Sequence, residues 1–310
     1  MRIHLQKFEH PTTCIDGSER ASVTLKNLDI LWVNTGTLCN IACANCYIES
    51  TPSNDRLSYI TRDEVARSVQ SLNQHGLSPR SFGITGGEPF MNPDILDILK
   101  DLLGSGREVL LLSNAMKPLQ RPHIMDGLLA LPKASRALLT IRVSLDDANP
   151  DLHEKERGEG SFAISCAGID WLLAHGFRTT IAGRLWGRDE GKVRQSYASL
   201  FKKRGWSINE QHRETLMLFP EMEEKTDPPE ITTACWGILK KSPNEVMCAN
   251  SRMLVKRSGA RAPSLVACTL LPYDERFDLG QDMGKADQKI LLQHPWCASF
   301  CVLGGGACSA

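Results

Sequence analysis

"DILWVNTGTLCNIACANC", residues 29–46, joins an apolar segment directly to three closely spaced cysteines. Residues 29–35 contain Ile, Leu, Trp and Val in succession, and this composition predicts a buried strand. Cys39, Cys43 and Cys46 follow in the pattern C-x3-C-x2-C. A strand that ends in a loop of reactive side chains is typical of α/β enzymes, because ligands bind at the carboxyl ends of their strands.

Helix and strand patterns alternate downstream of this loop. Thr61 and Glu64 predict a capping box at the start of the first helix. The predicted helices lie near 61–75, 93–104, 121–131, 161–175 and 190–203. The predicted strands after 29–35 lie at 81–85, 108–113, 138–145, 178–185 and 214–219. About six strand–helix repeats predict an α/β fold with a parallel sheet, either an open doubly wound sheet or a partial barrel.

Composition and charge restrict the class of protein. Hydrophobic residues make up 42% and charged residues 23% of the 310 residues, which is ordinary globular usage. The 36 basic residues balance 36 acidic residues, so the net charge offers no attraction to nucleic acid. Apolar runs fall short of about 18 residues and the N-terminus lacks a secretion signal, so we expect no membrane span and a cytoplasmic location.

The cysteines point to metal chemistry. Eleven cysteines without a secretion signal predict thiols that serve metals or catalysis in a reducing compartment. At the triplet, a structural zinc ion would need a distant fourth ligand, because such sites are usually closed by four side chains. An iron–sulfur cluster held by three cysteines would instead leave one iron open to a small molecule.

Further candidate residues follow the later strands. In "ITGGEPF", residues 84–90, the glycines let backbone carbonyls approach a cation, and Glu88 adds negative charge beside an ammonium group. A plain strand-to-helix turn is the alternative. Arg157 suits a carboxylate, because its guanidinium can donate two parallel hydrogen bonds. Arg184, at the end of the fifth predicted strand, is a second candidate, with exposure to solvent as the alternative.

With these segments in this order, the sequence resembles the radical S-adenosylmethionine (radical SAM) superfamily. The resemblance implies a partial (βα)6 barrel and a 4Fe-4S cluster on Cys39, Cys43 and Cys46, with S-adenosylmethionine on the open iron. It also implies reductive cleavage of S-adenosylmethionine to a 5′-deoxyadenosyl radical that abstracts hydrogen from a substrate. One departure is Asn45, which stands where an aromatic residue often precedes the third cysteine; Tyr47 comes just after it.

The same resemblance assigns residues to S-adenosylmethionine. Residues 86–89 would contact the methionine amino group, and Ser113 and Asn114 would contact the ribose hydroxyls. Ser144 and Arg157 would hold the methionine carboxylate. The complete predicted set is Gly86, Gly87, Glu88, Pro89, Ser113, Asn114, Ser144, Asp146, Arg157 and Arg184.

A second group of cysteines lies near the C-terminus in the pattern C-x19-C-x28-C-x3-C-x6-C. The segment between the first two predicts a β-hairpin turned at Gly259. A structural zinc ribbon is one interpretation. The region also resembles the SPASM/Twitch extension of some radical SAM enzymes, which implies an auxiliary 4Fe-4S cluster. Its ligands would be Cys248, Cys268, Cys297 and Cys301, with Cys308 spare or in place of Cys248.

Three domains follow from these patterns. Pro228 and Pro229 interrupt the strand–helix repeat. We expect an N-terminal extension over 1–28, the partial barrel over 29–227, and a small cysteine-rich auxiliary cluster domain over 228–310. The last segment has little apolar patterning, so a bound cluster would contribute to its stability.

The sequence indicates the cofactors more clearly than it indicates the reaction. About 28 residues precede the first strand, whereas peptide-modifying relatives often carry a leader-binding domain there, so dehydrogenation of a sugar or aminocyclitol alcohol is favoured. Epimerisation or crosslinking of a ribosomally made peptide is the alternative, and a non-catalytic iron–sulfur or zinc protein is another. Cys235 is a candidate hydrogen-atom donor, or a small buried hydrophobic residue. An electron donor such as flavodoxin or ferredoxin is the expected partner.

Overall fold

The computed structural model describes residues 6–220 and 227–306. The strands in these ranges are β1 Ser22–Val23, β2 Ile30–Asn34, β3 Ser81–Thr85, β4 Val109–Ser113, β5 Leu139–Ser144, β6 Arg178–Arg184, β7 Leu216–Phe219, β8 Ser251–Val255, β9 Ser264–Val266, β10 Asp278–Gly280 and β11 Ile290–Leu291. Strands β2 to β7 are parallel and pair in chain order. Each predicted strand is confirmed, with small shifts at the ends.

Helices connect these strands. Their bounds are α1 Arg62–Gln74, α2 Ile95–Gly104, α3 Pro122–Leu129, α4 Lys133–Ala137, α5 Pro150–Arg157, α6 Ser161–Ala174, α7 Glu190–Arg204 and α8 Cys235–Leu239. The capping box is confirmed: Thr61 Oγ1 accepts from Glu64 N at 3.3 Å, and Glu64 Oε2 accepts from Thr61 N at 3.0 Å. None of the helices in the described ranges is both long and apolar enough to cross a bilayer.

The sequence patterns missed three short helices, of which α5 matters for the site. The sequence patterns predict no helix between the strand at 138–145 and the helix near 161–175. Helix α5 nevertheless begins with Pro150 at its first position, and Asn149 Oδ1 accepts from Asp151 N at 2.8 Å. It ends at Arg157, followed by Gly158 at a φ of 96°.

The cysteine-rich C-terminal segment extends the same sheet. Strand β8 pairs in parallel with β2, and β9 and β10 add antiparallel strands beyond it. The predicted hairpin is confirmed as β8–β9, with Gly259 in its connection at a φ of 74°. Strands β2 and β8 are buried along their whole length, as expected for neighbouring strands inside a sheet covered on both faces.

Candidate active site

All three thiols of the first cysteine group line one cavity, of about 660 Å³, at the carboxyl ends of the parallel strands. Seven of the residues predicted to bind S-adenosylmethionine line the same cavity: Gly86, Gly87, Ser113, Asn114, Ser144, Arg157 and Arg184. They come from the ends of β3, β4, β5 and β6 and from α5. The parallel register therefore brings side chains that are far apart in the sequence to one edge of the sheet.

The two glycines lie against the cysteine loop. A Cβ atom on Gly87 would lie 2.2 Å from the backbone oxygen of Leu38, and one on Gly86 would lie 2.6 Å from that of Gly36. Gly86 also has a φ of 138°, which L side chains rarely adopt. Glycine is therefore required at both positions for the loop after β3 to contact the cysteine loop directly.

Glu88 lies under this contact and is almost fully buried. Its carboxylate accepts from Ser113 Oγ at 2.9 Å and from Asn114 N at 2.8 Å. Burial raises the pKa of Glu88 to about 7, although these hydrogen bonds oppose the shift. Glu88 thus ties the end of β3 to the end of β4, and Ser113 serves this contact in addition to lining the cavity.

Asn45 anchors the cysteine loop to α5. Its backbone N and its Nδ2 donate to the two carboxylate oxygens of Glu156, each at 2.8 Å. Ala44 N donates to Glu156 O at 2.9 Å, and Arg184 Nη2 donates to Asn45 O at 3.1 Å. Sequence reasoning missed Glu156, because only the fold brings it to a loop 111 residues away. Asn45, which stands where the family often has an aromatic residue, is therefore held by the carboxylate of Glu156.

Arginines and carboxylates alternate along the wall of the cavity. Asp146 Oδ2 accepts from Arg157 Nε at 2.5 Å, and Asp146 Oδ1 lies 3.5 Å from Arg184 Nε. Burial raises the pKa of Asp146, but the charges of Arg157 and Arg184 outweigh it and hold that pKa below its ordinary value. The pairing fixes both guanidinium groups while Arg157 and Arg184 still line the cavity.

His153 supports this arrangement from behind. It is fully buried, and its Nδ1 accepts from Asp146 N at 3.2 Å. Burial lowers the pKa of His153 to about 4, so the ring is neutral at physiological pH. The sequence offered no spacing that would have assigned this role to His153.

A second cavity, of about 920 Å³, continues from the first. The two share walls at Tyr47, Thr85, Leu112, Ser144, Arg157 and Arg184. Its apolar walls include Trp32, Phe219 and Phe300, and Thr269 and Leu270 complete its far side. Residues 269 and 270 follow Cys268, and Phe300 precedes Cys301, so this cleft runs from the first cysteine group towards the second.

The second cysteine group lines a third cavity, of about 320 Å³. Cys248, Cys268, Cys297 and Cys301 all face it, and most of its other walls are apolar. Burial raises the pKa of Cys248 to about 11. Within 6–220 and 227–306, no three His, Cys, Asp or Glu side chains are grouped closely enough to hold a single metal ion. Cys308 lies outside the described residues.

The remaining predicted residues lie away from these cavities. Pro89 begins a short 3-10 turn after β3 and is buried. Cys235 is the first residue of α8, and its Sγ lies 3.4 Å from both the N and the Oγ1 of Thr232. It is not among the residues that line the three cavities described above. Its role as a hydrogen donor stays a prediction.

Comparison with known proteins identifies the class. The model of the Radical SAM superfamily matches residues 33–188, and the chain belongs to that superfamily. The match confirms the predicted partial barrel and the predicted cofactors, a 4Fe-4S cluster and S-adenosylmethionine. The residues present suit that pair, because three thiols, a loop free of side chains at two glycines, and two arginines line one cavity.

The individual relatives are more distant. The chain is 29% identical over 173 residues to the antilisterial bacteriocin subtilosin biosynthesis protein AlbA of Bacillus subtilis (strain 168), covering 56% of this chain and 33% of that protein. It is 30% identical over 144 residues to a GTP 3′,8-cyclase of Actinobacillus succinogenes, covering 46% of this chain and 40% of that one. The chain therefore spans well under half the length of these two relatives.

Solved structures support the same fold. Streptococcus suis SuiB bound to S-adenosylmethionine matches with a TM-score of 0.58 at 11% identity, covering 82% of this chain and 63% of that chain. The enzyme anSMEcpe with bound AdoMet matches with a TM-score of 0.55 at 15% identity, covering 82% and 74% of the two chains. At these identities the likeness concerns the fold alone.

Proposed function

We propose that this chain uses a radical derived from S-adenosylmethionine to modify a peptide, with a second 4Fe-4S cluster on Cys248, Cys268, Cys297 and Cys301. The observation that carries the proposal is the second cavity, which continues from the cavity of the first cysteine group and is lined by Thr269 and Phe300, the sequence neighbours of Cys268 and Cys301. When bound, the first cluster and S-adenosylmethionine supply a carbon-centred radical that abstracts hydrogen. A substrate in the cleft would lie between that radical and the second cluster.

The chain's own residues would bind and orient the cofactor. Arg157 and Arg184 present positive charge to the carboxylate of the methionine group, and Asp146 fixes the position of both guanidinium groups. Gly86 and Gly87 leave backbone atoms exposed to the methionine ammonium group.

Two observations favour a peptide over a sugar alcohol as the substrate. The walls of the larger cavity include Trp32, Leu112, Phe219, Leu270 and Phe300, which suit an apolar side chain better than a molecule that exposes hydroxyl groups on every carbon. Among the similar proteins, one is named for bacteriocin biosynthesis, and one solved structure is SuiB bound to its precursor peptide SuiA. The expectation of sugar or aminocyclitol dehydrogenation has no comparable support.

The substrate class can be tested with deuterium. Host cells are grown in deuterated medium, and their extract is separated into a peptide fraction of about 1–10 kDa and a small-molecule fraction. Each fraction is incubated anaerobically with the reconstituted chain, S-adenosylmethionine and a reductant. We expect deuterium in the 5′-deoxyadenosine formed with the peptide fraction, and a loss of that label after exhaustive proteolysis of the fraction. Transfer from the small-molecule fraction alone would refute the peptide proposal.

The second cluster has its own test. We expect about eight irons per reconstituted chain, since two 4Fe-4S clusters are proposed, and about four in Cys297→Ala. The variant should also make residues 231–306 more sensitive to proteolysis, because the cluster crosslinks that segment. Cys166→Ala is the matched control, since Cys166 is buried in the helical layer on α6 and should keep all the iron. Unchanged iron and protease resistance in Cys297→Ala would contradict the assignment.

A further inference from the structure

Arg252, in β8, is a fully buried guanidinium group with an unusual set of partners. Its Nε donates to Ala286 O at 2.7 Å, and its Nη1 donates to Cys248 O at 2.6 Å and Ser251 O at 2.7 Å. Its Nη2 is buried and has no hydrogen-bond partner among the described residues. All of its bonded acceptors are neutral carbonyl groups.

The charge of Arg252 is therefore not offset by an ion pair. Among residues 6–220 and 227–306, no carboxylate oxygen lies within 4.0 Å of its nitrogens, although Asp287 acts on it from farther away. An arginine guanidinium keeps its proton in proteins, so the group is a cation at neutral pH. A buried cation without a counter-charge is strongly unfavourable, so a negative group is expected nearby.

The third cavity is the candidate location for this negative group, because Arg252 contacts one of the cysteines that line it. Arg252 donates a hydrogen bond to the backbone oxygen of Cys248, and the Cys248 side chain lines that cavity. Another arginine that acts on this group of thiols, Arg276, is neutralised locally, because it bonds Asp274 with Nε at 2.9 Å and Nη2 at 2.6 Å. Arg252 thus differs from Arg276 in having no carboxylate within ion-pair distance among the described residues.

We infer that Arg252 is a positioning residue that places a fixed positive charge behind the second cluster and raises its reduction potential. The inference rests on the proposed second cluster. Four thiolates give such a cluster a net negative charge, and one-electron reduction adds another negative charge without a compensating proton. A fixed cation stabilises the reduced form more than the oxidised form, and net charge is one of the factors that set these potentials.

The test isolates the second cluster in the full-length chain. Cys39, Cys43 and Cys46 are all replaced by Ala, so that only the second group of thiols can hold iron. In this background the residue at 252 is kept, or changed by Arg252→Lys, Arg252→Gln or Arg252→Met. Each protein is reconstituted anaerobically, its iron is counted, and its midpoint potential is measured by titration with dithionite followed by electron paramagnetic resonance.

We expect the parent and Arg252→Lys to reduce at similar potentials. Arg252→Gln and Arg252→Met should lower the equilibrium constant for reduction about tenfold or more, which is about 59 mV for a one-electron couple. Iron loss in both neutral variants, with retention in Arg252→Lys, would also assign the effect to charge. Equal potentials in all four proteins, or iron loss in Arg252→Lys as well, would overturn the inference. A parent background that binds no iron would refute the second cluster itself.

Discussion

Replacing Glu156 by Ala should loosen the first cysteine loop without touching a thiol. The carboxylate is 3% exposed and accepts two hydrogen bonds of 2.8 Å from Asn45. A hydrogen bond to a charged group contributes about 1.5–3 kcal/mol, so losing two gives a cost of about 3 kcal/mol even at the low end. Local opening of the loop would then become about a hundredfold more frequent, since 1.4 kcal/mol is a factor of ten.

The assay is the rate at which a chelator removes iron from the first cluster under anaerobic conditions. It is measured in a Cys297→Ala background, so that the first cluster supplies the signal. We expect removal to be about a hundredfold faster in Glu156→Ala, and an intermediate rate in Glu156→Gln, whose amide keeps one acceptor oxygen. Lys155→Ala, an exposed position on the same helix, is the control and should match the parent. Equal rates for Glu156→Ala and Lys155→Ala would refute the reasoning.

Three further predictions concern packing, a buried ion pair and pH. Gly87→Ala should abolish formation of 5′-deoxyadenosine, because its Cβ would lie 2.2 Å from a backbone oxygen of the cysteine loop, whereas Gly104→Ala, with no atom within 4 Å, should leave it unchanged. Glu230→Ala should lower the free energy of unfolding by about 3–5 kcal/mol in denaturant titrations, since it strips the buried Arg20 of a carboxylate 2.5 Å away; a loss below about 1 kcal/mol would contradict this. The pKa of His153 in the folded chain is about 4, below its ordinary 6.5. The free energy of unfolding should therefore fall by about 3 kcal/mol as the pH is lowered from 6.5 to 4, because the unfolded chain binds the proton more readily. His153→Asn should remove this part of the pH dependence.

Local sequence patterns predicted the repeating part of the fold. Strands such as 81–85 have short apolar runs between turn residues, and the first helix carries its own capping box at Thr61 and Glu64. These signals act over a few residues, so they are readable without the fold. Helix α5 has a local cap at Asn149, but it has few apolar residues, and its contact with the cysteine loop through Glu156 exists only in the folded chain.

The cysteine spacing likewise predicted that each group of thiols lies together, and each group lines one cavity in the structure. The choice of substrate was less well specified. Sequence reasoning favoured a small molecule, whereas the apolar walls of the cleft and the relatives favour the proposed peptide substrate. Those walls come from β2, β4, β7 and the C-terminal segment, and no short stretch of sequence contains them together.

The sequence by itself determined that this protein has a parallel α/β fold with two groups of thiols and a glycine pair beside the first. Only the tertiary structure decided that β8 pairs with β2, that Glu156 accepts hydrogen bonds from Asn45, and that Thr269 and Phe300 line a cleft that continues from the first group. The physical reason is the distance along the chain between the residues that make each contact. A helix cap or a strand depends on residues that are neighbours in the chain, whereas these contacts join residues more than 100 positions apart and form only when the whole sheet is assembled.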